Sequence, residues 1–191
     1  MTTTSTAPTD RRARTRRRLI DHGLDLIERQ GYEQTTAAQI AAAAGVTEMT
    51  FFRHFATKEQ LVLEDPYDPF LASGIGEQPR ELPPLRRAAA GILAVWRSLP
   101  EPEQPEIRRR VRIAARTPAL RGAMWRSTGN TEAAIVAQLV DDGADPLDAR
   151  VAASAVLAAL VTGLYAWAEG EVEALGAAIE RALAVVGADR D

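Results

Sequence analysis

Cysteine is absent from this 191-residue chain, which removes disulfides, thiolate metal sites and cysteine nucleophiles from consideration. That absence is in keeping with a reducing cytoplasm. Histidine occurs only as His22 and His54, and Lys58 is the sole lysine among twenty-two arginines. Neither an HExxH pattern nor a glycine-rich phosphate loop is present. An enzyme needs a nucleophile, a base and stabilising donors in one cleft, and nothing here supplies that set. The chain therefore reads as a non-enzyme, with no metal and no cofactor expected. Strand-like alternation is missing too, and helical periodicity dominates. Met1–Asp10 is Thr-rich with no apolar core, so it does not read as a signal peptide, and residues 1–9 read as a short disordered tail.

What is present is ordinary in amount and uneven in placement. The hydrophobic share of 46% and charged share of 26% fit a globular protein. The net charge is −3, yet residues 10–63 carry nine basic groups against seven acidic ones, while residues 64–191 carry fourteen against nineteen. A basic head on an acidic body suggests that only the head meets a polyanion. Six arginines fall within Arg11–Arg18, either as a solvated flexible arm or as an arm that meets nucleic acid.

Leu19, Ile20, Gly23, Leu24 and Ile27 share one helical face, with Asp21, Asp25 and Glu28 opposite, and Gly31 is a plausible stop. Three helix starts follow. Thr36 with Gln39 and Thr57 with Gln60 make capping-box patterns, and Thr47 after Gly45-Val46 is a credible N-cap. The stretch Glu64–Pro84, with five prolines and two glycines, reads as a helix end and a loop. Further helices are expected at 85–99, 103–116, 118–140, 146–168 and 171–187, with Asp145-Pro146 opening the fourth. Val151–Ala168 is apolar nearly all round and rich in Ala and Gly, which favours a buried or dimer-forming helix over a membrane span. The fold class is all-α: a three-helix head over 10–63, then a helical bundle over 64–191.

The informative segment runs from Thr36 to Phe55. Gly45 sits where the chain must turn, and small Ala41 allows a second helix to approach the first. Ile40, Ala44, Val46 and Phe51 then face inward. This is the packing of a helix-turn-helix, whose second helix enters the DNA major groove, although a plain helical hairpin shares much of it. Thr47, Glu48, Met49, Thr50 and Arg53 point outward from that helix. Lys58, at the third start, and His54 are within reach of phosphate, but His54 also suits a half-buried place between Phe51 and Phe55.

Over Thr15 to about Leu63 the chain resembles the TetR (tetracycline-repressor) family. The likeness runs through Thr15-Arg16, Leu24–Gly31-Tyr32, Thr35-Thr36, Ile40-Ala41, Gly45-Val46-Thr47, Thr50–Phe55 and Lys58-Glu59. It implies a DNA-binding head and a larger domain for ligand binding and dimerisation. By position, Thr36, Phe52, His54 and Lys58 would touch the DNA backbone and Thr47, Glu48, Met49 and Thr50 would face bases, with Arg16 and Arg53 in the same DNA-facing set. Phe52 stands where tyrosine is usual, and Met49 where a small residue is common. Partners implied are a palindromic operator, a small-molecule effector and a second copy of the chain, in the cytoplasm and with no membrane.

In the bundle, Trp96, Met124, Trp125, Tyr165 and Trp167 are large enough to enclose an apolar ligand cavity, although core packing alone would explain each; the first four are taken as ligand residues. Arg108, Arg109, Arg112 and Arg116 read as a solvated face, while Arg110 lies at the edge of the buried stripe, either snorkelling or meeting an anionic ligand. Val172, Leu175, Ile179, Leu183 and Val186, with the small-residue helix and Gly163, suggest a four-helix dimer from the last two helices. Residues 81–125, with Arg108–Arg110 followed by Ala115-Arg116-Thr117-Pro118-Ala119-Leu120-Arg121, are also similar to effector domains of actinobacterial TetR-type regulators that sense acyl-CoA-like ligands. That similarity implies an amphipathic anionic effector.

Overall fold

The computed structural model describes residues 8–63, 73–98 and 104–187, and every regular element among them is an α-helix. The chain forms two units, one up to Glu64 and one from Asp65.

The first unit holds α1 (Pro8–Gln30), α2 (Ala37–Ala43), α3 (Glu48–His54) and α4 (Lys58–Leu63). Leu19, Ile20, Leu24 and Ile27 on one face of α1 are buried, as are Ile40, Phe51, Phe55 and Leu61, and α1 packs against α2 and α4 while α2 packs against α3. Because α1 begins at Pro8, the arginine run is not a loose arm; it forms the first turns of a helix. Gly31, at φ +87°, ends that helix.

The second unit holds α5 (Pro84–Ser98), α6 (Gln104–Arg116), α7 (Pro118–Ser127), α8 (Gly129–Asp141), α9 (Pro146–Glu169) and α10 (Leu175–Gly187). At its centre lies α9, packed by α5, α6, α8 and α10. That position explains its composition: Ala152, Ala153, Val156, Leu157, Leu160 and Trp167 are all buried against neighbouring helices. By length and composition α9 could cross a membrane, but half of its most apolar stretch is covered by its own chain. The Asp145 carboxylate starts it by accepting from the N–H groups of Leu147 (2.7 Å) and Asp148 (3.3 Å). Where α8 ends, Asp142 is buried and paired with Arg87 at 2.6 Å, with Arg80 at 3.2 Å. A hydrogen bond from Gln138, and then these arginines, hold its carboxyl below the usual range against the opposing effect of burial. The stability this gives is present above the ordinary carboxylate pKa and is lost as pH falls through the depressed one.

Two expectations need correction. The helix expected over 118–140 is two, parted at Thr128. There the side chain donates to the Trp125 carbonyl (3.0 Å), and Ser127-Thr128-Gly129-Asn130 is a run of poor helix formers. The last helix begins at Leu175, so Val172 lies ahead of it. Of the loop expected over Glu64–Pro84, residues 64–72 lie outside the described residues, as do 99–103 and residues 1–7 of the expected tail, whose Pro8 and Thr9 are helical instead; 73–83 is turns as expected, with Ile75 wholly buried.

The stripe read as a dimer surface also turns inward. Leu175, Ile179 and Leu183 are buried in the chain's own core, and Gly163 faces α10 of the same chain. A Cβ at Gly163 would stand 2.9 Å from the Ala178 carbonyl oxygen and 3.1 Å from the Ala182 Cβ. Gly163→Leu is therefore expected to destabilise the second unit by about 3 kcal/mol through overpacking. All three tryptophans lie in that unit, so urea unfolding followed by their fluorescence reads the effect. An unchanged midpoint would contradict the packing described.

Candidate nucleic-acid interface and effector cleft

The geometry between α2 and α3 follows from how the backbone groups at the end of α2 are satisfied. Gly45 takes φ +65°, which a side chain would resist. Its N–H then donates to the Ala42 carbonyl (3.0 Å) and that of Val46 to Ala41 (2.9 Å), a Schellman closure. The Arg18 guanidinium donates to the Ala44 carbonyl, tying α1 to this turn. At the start of α2 the Gln39 N–H donates to Thr36 Oγ1 (3.2 Å), and the Thr36 N–H to Gln39 Oε1 (2.9 Å). Thr47 Oγ1 accepts from the Thr50 N–H at 3.2 Å and starts α3. Two capped helices and a fixed turn leave α3 one orientation within the unit.

The outward face of α3 is short, polar and open. Thr47 and Glu48 are exposed, Met49 is 76% exposed, and Thr50 is half-buried. The Thr47 and Thr50 hydroxyls share a hydrogen bond of 2.9 Å, and Arg53 reaches Thr50 Oγ1 at 3.4 Å. Phe52 is half-exposed, its ring edge-on to buried Phe51 at 5.4 Å. Arg16 lies over the Phe55 ring at 4.8 Å. His54 is half-buried, and burial first, then Arg12, Arg16 and Arg53, push its imidazole below its usual pKa.

Lys58 is used differently from the expectation. Its Nζ donates to the carbonyls of Tyr32 and Thr35, both at 2.8 Å, and sits 3.9 Å from the Tyr32 ring centre. Two of its three N–H groups thus staple the loop that leads to the Thr36 cap. At the start of α4, Thr57 Oγ1 accepts from the Gln60 N–H (3.2 Å), but Gln60 Oε1 reaches the Ala56 N–H rather than that of Thr57.

In the second unit a cleft of about 720 Å³ opens among α6, α7, α9 and the turn after it. Ala115, Arg116, Pro118, Arg121, Thr162, Tyr165 and Glu169 are among its walls. Of the five expected ligand residues only Tyr165 lines it. Trp96 is half-buried on α5, Met124 half-buried on α7, Trp125 half-exposed to solvent, and Arg110 is buried and paired with Glu106 at 2.8 Å. The face of α6 taken for solvated is instead in use. Arg108 donates to the Trp167 carbonyl (2.8 Å), Arg112 to that of Ala168 (3.1 Å), and Arg116 to both Glu169 carboxylate oxygens (2.9 and 2.7 Å).

Residues 19–64 match the family described as bacterial regulatory proteins, tetR family, and residues 82–191 match the MftR C-terminal domain. The chain belongs to the TetR family. It is a helix-turn-helix transcriptional regulator. It is similar to the HTH-type transcriptional regulator TcmR of Streptomyces glaucescens, 32% identical over 184 residues that cover 89% of this chain and 81% of TcmR. MftR of Mycobacterium tuberculosis is 26% identical over 186 residues, covering 95% of this chain and 93% of its own. The same fold is seen in NalD of Pseudomonas aeruginosa, the secondary repressor of the MexAB-OprM efflux pump. That comparison has a TM-score of 0.58 and 24% identity, covering 94% of this chain and 98% of NalD.

Within this TetR-family chain, sequence reasoning missed Arg18, which closes the turn, and Glu169, which lines the cleft with Arg121; Arg121 enters that reasoning only as part of the motif from Ala115, with no contact of its own. A signal existed for the α6 arginines. Positions 108, 112 and 116 recur every four residues, and the carbonyls at the end of α9 needed donors. Lys58 supports a sharper test. Lys58→Met keeps the aliphatic stem but loses two hydrogen bonds from a charged donor, worth about 1.5–3 kcal/mol each at most and less in this half-exposed setting. Amide exchange over residues 32–36 of the full chain is expected to quicken about tenfold. Unaltered exchange there would mean that the staple contributes nothing.

Proposed function

We propose that this regulator is a repressor that binds a palindromic operator as a homodimer and is released by an amphipathic anionic effector, a long-chain acyl-CoA or a molecule of that kind. The observation that carries the DNA half is the open face of α3, held by a capped and glycine-turned connection. Met49 offers an apolar tip to a thymine methyl, Thr47, Glu48 and Thr50 offer hydrogen bonds to base edges, and Thr36, Arg16, Arg53, His54 and the remaining Lys58 N–H serve the phosphates. Phe52 brings no hydroxyl, so it packs against the backbone rather than bonding to it. The protein works in the cytoplasm, where its operator lies.

The dimer is formed by the outer faces of α9 and α10. The inner faces of both helices are spent on the chain's own core, which leaves Leu147 (60% exposed), Val151 (59%) and Val185 (75%) as large apolar groups facing out. Exposed apolar groups on adjoining helices suit an isologous contact with a second copy. Two copies related by a two-fold axis present two α3 helices to half-sites about one DNA turn apart or slightly more. The effector half rests on the arginines of α6 and α7 beside apolar walls, which suit an anion joined to an aliphatic chain. Such a ligand lowers DNA affinity only if it binds the DNA-incompetent state more tightly.

Duplexes selected from a random pool test the reading directly. Met49→Ala is expected to change preference at one or two base positions by about 1–3 kcal/mol and leave the others alone. Lys58→Ala should weaken all sequences alike and lower the salt slope by about one. Selection of no palindrome, or loss of affinity with unchanged preference in Met49→Ala, would remove α3 as the reader. For the dimer, Val151→Glu should weaken association by about tenfold or more in sedimentation while leaving helicity intact. A wild-type monomer at micromolar concentration would end the dimer reading.

A further inference from the structure

The cleft among α6, α7 and α9 contains a cationic pair that an internal carboxylate partly neutralises. Arg116 is held bidentately by Glu169, with the arginine side chain 66% and the glutamate 31% exposed. An ion pair this open to water contributes little and is easily exchanged. Arg121 is anchored through its Nε to the Ala115 carbonyl at 2.7 Å, and its guanidinium lies 5.7 Å from the Tyr165 ring centre. Its terminal nitrogens have no hydrogen bond among the described residues. Among the described residues the Tyr165 hydroxyl is buried and has no hydrogen-bond partner, a state that native interiors seldom leave uncompensated. Ala115, Pro118 and Ala166 supply apolar wall beside these groups, and the Thr162 hydroxyl is engaged by the Ala158 carbonyl. Glu171 is the remaining charged residue of the lining. The volume of about 720 Å³ is in the range of small-molecule sites.

We propose that this cleft is the anion subsite of the effector, in which Arg121 and Arg116 take a phosphate or carboxylate and Glu169 is the resident competitor that the anion displaces. The inference rests on the reading of the chain as an effector-controlled regulator and assigns that control to named groups. It also moves the anion contact away from Arg110, which Glu106 already neutralises on α6. Displacement has a mechanical consequence. Arg108, Arg112 and Arg116 are three successive ties between α6 and the end of α9, and the anion undoes only the last. The C-terminal turn of α6 and the start of α7 are then freed from α9 while the first two ties hold. That is a local, reversible change that a ligand can bias.

The test is calorimetry on the full chain with palmitoyl-CoA, palmitate and free coenzyme A as probes, on wild type, Arg121→Ala, Glu169→Gln and Arg110→Ala. Arg121→Ala is expected to weaken binding by about tenfold or more, as a charge-assisted contact is lost. Glu169→Gln, nearly isosteric and so readable without refolding concerns, is expected to tighten it several-fold by removing the competitor. Arg110→Ala should leave it unchanged. Binding of palmitate without coenzyme A names a carboxylate as the seated group, and the reverse names a phosphate; either supports the subsite if the variants behave as stated. No binding of any probe, or an affinity indifferent to both Arg121→Ala and Glu169→Gln, overturns it. DNA binding that ignores a ligand obeying these variants would end the effector reading and keep the cleft. DNA release by a ligand that ignores the variants would do the opposite.

Discussion

The carbonyls at the end of a helix must find donors, and much of the second unit is arranged around how α9 meets that requirement. Three arginines one turn apart on α6 reach the Trp167 and Ala168 carbonyls and the Glu169 carboxylate. Cations at this terminus also oppose the negative end of the helix dipole. Since α9 is the core helix, these ties fix α6 on the same centre that α5, α8 and α10 share. They also place the charged rim of the cleft. A stretch that is only four arginines on a polar face in sequence becomes, in the fold, both a structural clamp and the candidate sensor of an anion.

The first unit obeys the same rule on a smaller scale. The turn between α2 and α3 works because Gly45 adopts a left-handed backbone and because Arg18 donates to the Ala44 carbonyl, while two of the three Lys58 N–H groups hold the loop between α1 and α2. The basic excess of the head is therefore not all available to DNA. Part of it holds the reading helix in place, and the rest, with Thr36, His54 and Arg53, stands at the surface proposed to meet phosphate.

Local features of both units were legible in the sequence. The Thr36 capping box, the Thr47 cap, the glycine turn and the Asp145-Pro146 start each depend on four or five adjacent residues, and each is found as expected. Features that depend on distant partners were not. The Leu175, Ile179 and Leu183 stripe is equally good for a second copy or for the chain's own core, and periodicity alone cannot tell which. Trp96 and Trp125 have the size of pocket walls, but one packs against the core and the other faces solvent. The break at Thr128 turns on a side-chain bond to a carbonyl three residues back, which competes with helix in a way that pattern reading undervalues. Arg121 and Glu169 meet at one cleft only because α7 follows α6 through Thr117-Pro118 and both border the end of α9.

The central claim is that one protein couples DNA and an anionic ligand through opposed preferences for its states. Such coupling is reciprocal: whatever factor the ligand takes from DNA affinity, DNA must take from ligand affinity. The most direct measurement is the dissociation constant of palmitoyl-CoA, determined with the protein alone and again with saturating operator duplex. The account predicts weaker ligand binding on DNA, by the same factor as the ligand weakens DNA binding. Equal ligand affinity in the two titrations would contradict it.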